Sequence, residues 1–257
     1  MMLCIDVGNT NIYAGVYDGD HMVDTFRREL RAGSSADELG MFFRSVLREN
    51  GIDPVAVTEV GIASVVPSIV HSLRGAMQKY FHTEPFLLQA KVRTGLNIKV
   101  RNPLEVGADR IANAIAAVAQ YPKQDLIIID FGTATTLCVV NARAEYLGGA
   151  ILPGIRLSME ALAEKTARLN RVEILEPDAA LGRSTVDSIQ SGLYFGHLGA
   201  VRELIAQFTD ECFASRKPFI IGTGGFSRLF ESRKVFDVIL PNLVLDGVRI
   251  ALTMNRE

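Results

Sequence analysis

The sequence predicts an α/β protein made of two related halves, and two observations carry that prediction. The first is a short acidic turn that occurs twice. Met2, Leu3, Cys4 and Ile5 form an apolar run that ends in Asp6-Val7-Gly8-Asn9-Thr10-Asn11, and Leu126, Ile127, Ile128 and Ile129 form another that ends in Asp130-Phe131-Gly132-Thr133-Ala134-Thr135-Thr136. The second is the setting: each turn leads into a further apolar run, residues 12–17 or 137–140, and each half goes on to mix strand-like and helical segments. One Asp-x-Gly turn marks many ordinary hairpins. Two, each closing a buried strand and one in each half, predict a duplication.

The first half opens with three strand-like runs, at residues 3–7, 12–17 and 22–28, and Asp18-Gly19-Asp20 is a hairpin signal between the last two. Ser35-Ala36-Asp37-Glu38 reads as a capping box, so a helix starts there, runs to about Asn50 and stops at Gly51. A strand at 57–63, a helix after Pro67 and a short strand at 86–88 complete the half. The order β-β-β-α-β-α-β describes a mixed sheet, opened by antiparallel hairpins and finished by helical crossovers.

Residues 95–103 read as a connector, followed by a helix over 106–120 rich in alanine (Ala112, Ala114, Ala116, Ala117, Ala119). The opening then repeats as strands at 126–130, 135–140 and 145–152. A helix follows Pro153-Gly154, and a long one spans 185–208. Strands are expected at 219–221, ahead of Gly222-Thr223-Gly224-Gly225 and a helix, and at 235–240, with a closing helix over 243–254. The expected halves are 1–105 and 106–257, the alanine-rich helix acting as the bridge.

Bulk properties narrow the function. A chain of 257 residues, 48% hydrophobic, can bury one large core or two. The 27 basic and 29 acidic residues nearly balance and form no block of like charge, which argues against nucleic acid or a membrane surface as partner. Apolar runs fall far short of the roughly 20 residues that cross a bilayer. The N-terminus has no basic stretch or cleavage site of a signal peptide. Cys4, Cys138 and Cys212 are far apart in sequence, and the first two lie in core strands as small buried hydrophobes. A cytoplasmic protein is expected.

An aspartate at a strand end, a glycine two residues on and hydroxyl or amide side chains after it can aim backbone N–H groups at a polyphosphate. The carboxylate then stands near a hydrated cation. The alternative is a tight hairpin and nothing more. Gly222-Thr223-Gly224-Gly225 suits either the close approach of a flat ligand such as adenine or a plain strand-to-helix turn. In Gly107-Ala108-Asp109-Arg110, Asp109 is either an N-terminal capping carboxylate or a general base, and Arg110 a surface charge or a bidentate anchor for a carboxylate. Gly182-Arg183-Ser184-Thr185 lacks the lysine and upstream glycine of a P-loop, and Thr185 could cap the long helix or donate to a substrate. The four histidines show no metal-ligand spacing, and there is no Cys-x-x-Cys, Gly-x-Ser-x-Gly or dinucleotide Gly-x-Gly-x-x-Gly. Zinc-enzyme, hydrolase and dehydrogenase readings are therefore poor.

With these motifs in this order, nearly the whole chain resembles the type III pantothenate kinases. The resemblance implies the actin-like (ribonuclease H-like) superfold of the acetate and sugar kinases: two half-domains, each a mixed five-stranded sheet with helices, and an ATP cleft between them. It implies that Asp6, Val7, Gly8, Asn9, Thr10, Asn11, Ile12 and Tyr13 form a first phosphate loop and that Thr133 contacts ATP from a second. Asp130 would hold a monovalent cation, K⁺ or NH₄⁺. Gly107, Ala108, Asp109 and Arg110 would bind pantothenate with Asp109 as base, and Thr185 would touch the same substrate. One position departs from the pattern. Val100 stands seven residues before Gly107, where many members carry a pocket tyrosine, so one hydroxyl contact is absent.

The implied reaction moves the γ-phosphoryl of Mg-bound ATP to the primary hydroxyl of pantothenate. It gives 4′-phosphopantothenate, on the way to coenzyme A. A homodimer is implied as well. The rivals are a kinase of the same superfold for another small alcohol or carboxylate, and a non-catalytic ATP-binding regulator. A pure nucleotide switch has no need of a base beside a carboxylate anchor.

Overall fold

The computed structural model describes residues 1–256. The chain forms two compact units. The first comprises Met1–Leu96, Arg101–Ala116 and Leu243–Glu257, and the second Asn97–Val100 and Ala117–Asn242. The chain thus does not divide at a single point after residue 105: part of the alanine-rich helix and the whole C-terminal helix count with the first unit.

In the first unit, strands β1 (Met2–Val7), β2 (Asn11–Asp18), β3 (His21–Glu29), β4 (Glu59–Ser64) and β5 (Phe86–Leu87) lie in the order β3-β2-β1-β4-β5. β1 is antiparallel to β2 and parallel to β4. Helix α1 (Ala36–Glu49) begins with the expected capping box: Glu38 N–H donates to Ser35 Oγ at 3.2 Å, and Ser35 N–H donates to the Glu38 carboxylate at 2.8 Å. Helix α2 (Pro67–Phe81) starts on proline, whose missing N–H costs nothing in a first turn. Leu3, Ile5 and Val7 alternate toward these helices and meet Leu39, Phe43, Leu73 and Met77 in one buried core.

Helices α3 (Ala108–Gln120) and α6 (Leu243–Met254) also contribute to this unit. α6 packs on β1 and β4. Gly247 is required there, because a Cβ would run into the backbone of Ala112 on α3. Ala112 of α3 lies at this close approach, and Ala112, Ala114 and Ala116 are fully buried. The helix starts two residues later than expected, at Ala108, and a separate 3₁₀ turn, Pro103–Glu105, precedes it.

The second unit repeats the design with β7 (Leu126–Phe131), β8 (Ala134–Val140), β9 (Glu145–Pro153), β10 (Phe219–Thr223) and β11 (Val238–Ile239). β7 is antiparallel to β8 and parallel to β10, as β1 is to β2 and β4. Its sheet has six strands rather than five, ordered β11-β10-β7-β8-β9-β6. The extra strand β6 (Asn97–Ile98) comes from the segment read as a connector. It adds to the open edge of β9 through Asn97 N–H to Ala144 O at 2.9 Å and Lys99 N–H to Tyr146 O at 2.8 Å. Helix α4 (Ile155–Lys165) follows Gly154. Helix α5 (Thr185–Phe213) runs five residues beyond expectation, burying Phe213 before Ala214 and Ser215 turn into the left-handed region. The helix expected after Gly225 is a 3₁₀ segment, Ser227–Arg233.

Candidate functional site

The first acidic turn is the tip of the β1–β2 hairpin. Gly8 donates its N–H to Asn11 O at 3.0 Å, and Thr10 O accepts from Leu30 N–H at 2.8 Å. Asp6 is half-buried, whereas Asn9, Thr10 and Asn11 are exposed. A Cβ at Gly8 would meet nothing closer than Asn11 O at 3.6 Å, so the protein itself does not demand glycine there. The missing side chain leaves the backbone open from outside. Strand alternation splits the motif between two faces. Val7 and Ile12 point into the core, 0% and 1% exposed, and can offer a ligand only backbone atoms. Asp6, Asn11 and Tyr13 share the opposite face, Asp6 lying directly across from Tyr13.

The second turn is built alike. Gly132 donates its N–H to Ala134 O at 3.1 Å. Asp130, half-buried at the end of β7, lies across from Thr223 at the end of β10. Gly224 has φ +85°, and a Cβ on it would collide with Asp130 Oδ1 and come within 2.6 Å of Phe131 N. Gly154, at the N-terminus of α4, donates to Thr133 O at 3.0 Å, and a Cβ there would strike the Gly132 and Thr133 carbonyls. Two glycines therefore fix this loop, from β10 and from α4. Thr135 does not face it: the side chain is 1% exposed and shares a 2.9 Å hydrogen bond with His197 Nε2 on α5. Burial holds His197 below the usual imidazole range, and Phe131 and Phe230 pack beside its ring.

The Gly224 geometry gives a first prediction. Gly224→Ala puts a side chain at a positive φ and against the Asp130 carboxylate, and should cost about 1–3 kcal/mol of stability. Thermal melts should show the lower Tm; an unchanged Tm would mean that the loop yields freely.

Asp109 lies in the first turn of α3. Its Oδ1 accepts the Arg110 backbone N–H at 2.8 Å, which is the capping contact. Burial, the dominant influence, nevertheless raises its pKa above the ordinary carboxylate value. The Arg110 N–H and guanidinium pull the other way with less effect. A cap needs no such burial; a proton acceptor gains basicity from it. Arg110 is half-buried, and its guanidinium makes no hydrogen bond or ion pair among the described residues. The motif also lies near the first loop. Val65 N–H donates to Val7 O at 3.1 Å, and a Cβ on Gly107 would come within 3.3 Å of Val65 Cγ1 while striking the Asp109 carboxylate. Val65, which no sequence pattern marked, thus connects two motifs about a hundred residues apart.

Thr185 is exposed and is the first residue of α5, but it is not the cap. Ser184 is, with Asp187 closing the box through Asp187 N–H to Ser184 Oγ at 3.1 Å. The Thr185 hydroxyl has no hydrogen-bond partner among the described residues and is joined to no other site residue of its unit. Val100 is half-buried beside Gly148 of β9.

Three comparisons with known proteins bear on this arrangement. The family model described as type III pantothenate kinase matches residues 2–207. The chain belongs to the type III pantothenate kinase family. A type III pantothenate kinase from Legionella pneumophila (strain Corby) is 55% identical over 255 residues, covering 99% of both chains. Another from Elusimicrobium minutum is 50% identical over 257 residues, covering 100% of both. Among solved structures, a Campylobacter jejuni protein provisionally described as a Baf family transcriptional activator superimposes with a TM-score of 0.63. It is 17% identical, with 98% of each chain covered. A Listeria monocytogenes protein provisionally described as an N-acetylmannosamine kinase gives 0.52 at 14% identity, covering 100% of this chain and 99% of its own. These two likenesses show the fold alone, the two-sheet α/β architecture expected from the resemblance. No helix among the described residues is long and apolar enough to cross a membrane.

Proposed function

We propose that this chain transfers the γ-phosphoryl of Mg-bound ATP to the primary hydroxyl of pantothenate, giving 4′-phosphopantothenate in coenzyme A synthesis. Beyond family membership, the observation that supports this is the Asp109–Arg110 pair: a half-buried carboxylate whose pKa desolvation raises, beside a guanidinium that makes no hydrogen bond or ion pair among the described residues. ATP is assigned to Asp6, Val7, Gly8, Asn9, Thr10, Asn11, Ile12, Tyr13 and Thr133, with Val7 and Ile12 acting through backbone. Pantothenate is assigned to Gly107, Ala108, Asp109, Arg110 and Thr185. Asp109 orients the hydroxyl and accepts its proton; in a loose phosphoryl-transfer transition state that proton leaves late, so positioning matters more than base strength. Arg110 takes the substrate carboxylate.

The group proposed for Asp130 is a monovalent cation, which would supply charge neutralisation beside the phosphates. The donor chemistry fits: one carboxylate at a loop of backbone carbonyls, and no cluster of three or more His, Cys, Asp or Glu among the described residues that would cage a transition metal. A cytoplasmic homodimer, which the family resemblance implies, completes the reading.

The deciding experiment measures ADP release by the purified chain with MgATP and K⁺, with and without pantothenate. Release that needs pantothenate, with a phosphorylated product in the mass spectrum, is the expected result. Release that is indifferent to pantothenate would sink the reading.

Arg110→Gln should raise the KM for pantothenate at least about tenfold, the scale of a lost charge-assisted bidentate contact, and that for ATP far less. Pantothenol, with an alcohol in place of the carboxylate, checks the cause. The parent enzyme should discriminate against it and the variant should not. Equal discrimination by both would move the anchor elsewhere.

A further inference from the structure

We propose that Arg27, on β3, is a phosphate-binding residue for the nucleotide at the first loop, held in position by stacking on Tyr13. The inference rests on the reading of that loop as a nucleotide site. It starts from register. Asp6 lies across from Tyr13 in the β1–β2 pair, and Tyr13 lies across from Arg27 in the β2–β3 pair. Directly opposed residues of an antiparallel sheet project to the same face, so the three form one row beside the exposed tip at residues 9–11. The Arg27 Cζ sits 4.1 Å from the centre of the Tyr13 ring, well within cation–π range. Leu30 N–H, donating to Thr10 O at 2.8 Å, ties the end of β3 to the same loop.

Three features separate this arginine from an ordinary surface charge. Arg27 is exposed and makes no ion pair or hydrogen bond among the described residues, although Glu29 occupies the same face two residues on. The ring contact restrains the guanidinium, and the exposure of Arg27 keeps its N–H donors accessible to phosphate oxygens. And residues 6–11 contain no lysine or arginine, so the loop itself offers a polyphosphate backbone, amide and hydroxyl groups but no positive side chain. Arg28 is the internal contrast. It projects to the opposite face, half-buried, with its guanidinium 5.2 Å from the Phe42 ring on the core side.

The test reads MgATP binding directly, by calorimetry, on parent, Arg27→Gln, Arg27→Lys and Arg28→Gln, with melts on each. Arg27→Gln should weaken MgATP about tenfold, a loss of about 1.4 kcal/mol, and raise the KM for ATP in step, with kcat and the pantothenate KM moving far less. Its binding should also depend less steeply on salt. Arg27→Lys, which keeps the charge but not the fork, should fall between. It also carries the test if Arg27→Gln does not fold. Arg28→Gln should bind MgATP as the parent does, whatever its Tm. Parental affinity in a folded Arg27→Gln would overturn the proposal, as would an equal loss in Arg28→Gln, which would mark a general charge effect of β3. A parent that binds MgATP but shows no pantothenate-dependent ADP release would instead defeat the kinase reading and leave the Arg27 result standing.

Discussion

Asp109→Asn should lose about 10²–10⁴-fold in turnover while still folding and still binding MgATP. The structure makes this expectation sharp because the two roles open to Asp109 respond differently to the same change. As a cap, Asn replaces Asp nearly without loss, since both side chains accept a helix N–H equally well. As a base it cannot be replaced, because an amide oxygen is a negligible proton acceptor. Stability gives a second, independent reading. Burial raises the pKa of Asp109, so the folded state holds that proton more tightly than the unfolded chain. The associated stability is therefore present in acid and is lost as pH rises through the folded pKa. Near neutrality the ionised carboxylate is a cost that Asn removes, and the variant's Tm should equal or exceed the parent's. The pH–rate profile should carry an acidic limb set by Asp109, above the ordinary carboxylate range. A variant that keeps more than about a tenth of parental turnover at saturating substrates would leave Asp109 as a cap alone.

Most of the fold was legible because its determinants are local. The capping box at Ser35, the proline starting α2 and the continuous apolar run that makes β1 a buried strand are each decided within a few residues, and each stands where expected. The duplicated meander was legible for the same reason. The errors fall where distant chain decides. Residues 97–98 have no strand pattern of their own and become β6 only because β9 offers unpaired backbone. Likewise, α6 counts with the first unit because glycine at 247 lets it close on α3.

The candidate site divides along the same line. Its carboxylates and glycines were readable as motifs. The residues that position them were not, because Val65 is an ordinary apolar residue by sequence, and Gly154 read only as the start of a helix. Thr185 shows the reverse. Its ambiguity as a cap disappears once Ser184 and Asp187 close the box, which leaves its hydroxyl available. A lone arginine such as Arg27 in a charged strand carries no motif; only the register of three strands brings it beside Tyr13.

Activity should require a monovalent cation at Asp130, and this is the second large effect expected. The argument is one of charge. ATP with one Mg²⁺ remains strongly anionic, and residues 130–136 contain no lysine or arginine. Asp130 therefore adds a negative charge where the proposed nucleotide already has too many. The backbone at Gly224 lies close against the carboxylate, where a Cβ would strike Asp130 Oδ1. A carboxylate near phosphate is best tolerated where a cation is shared between them. K⁺ and NH₄⁺ shed water readily and accept irregular oxygen cages, whereas Na⁺ and Li⁺ hold water more tightly and fit such cages less well. Assays with MgATP and pantothenate in Tris buffer should thus show little turnover, restored at least about tenfold by K⁺ or NH₄⁺ and much less by Na⁺, on the scale of one lost charge-neutralising contact. Asp130→Asn removes the charge that creates the need, so it should lower the maximal rate and flatten the K⁺ dependence together. Full activity of the parent without K⁺ or NH₄⁺ would reduce Asp130 to a turn residue or a partner of the nucleotide's Mg²⁺. A variant that kept the parental K⁺ dependence would place the cation at another site.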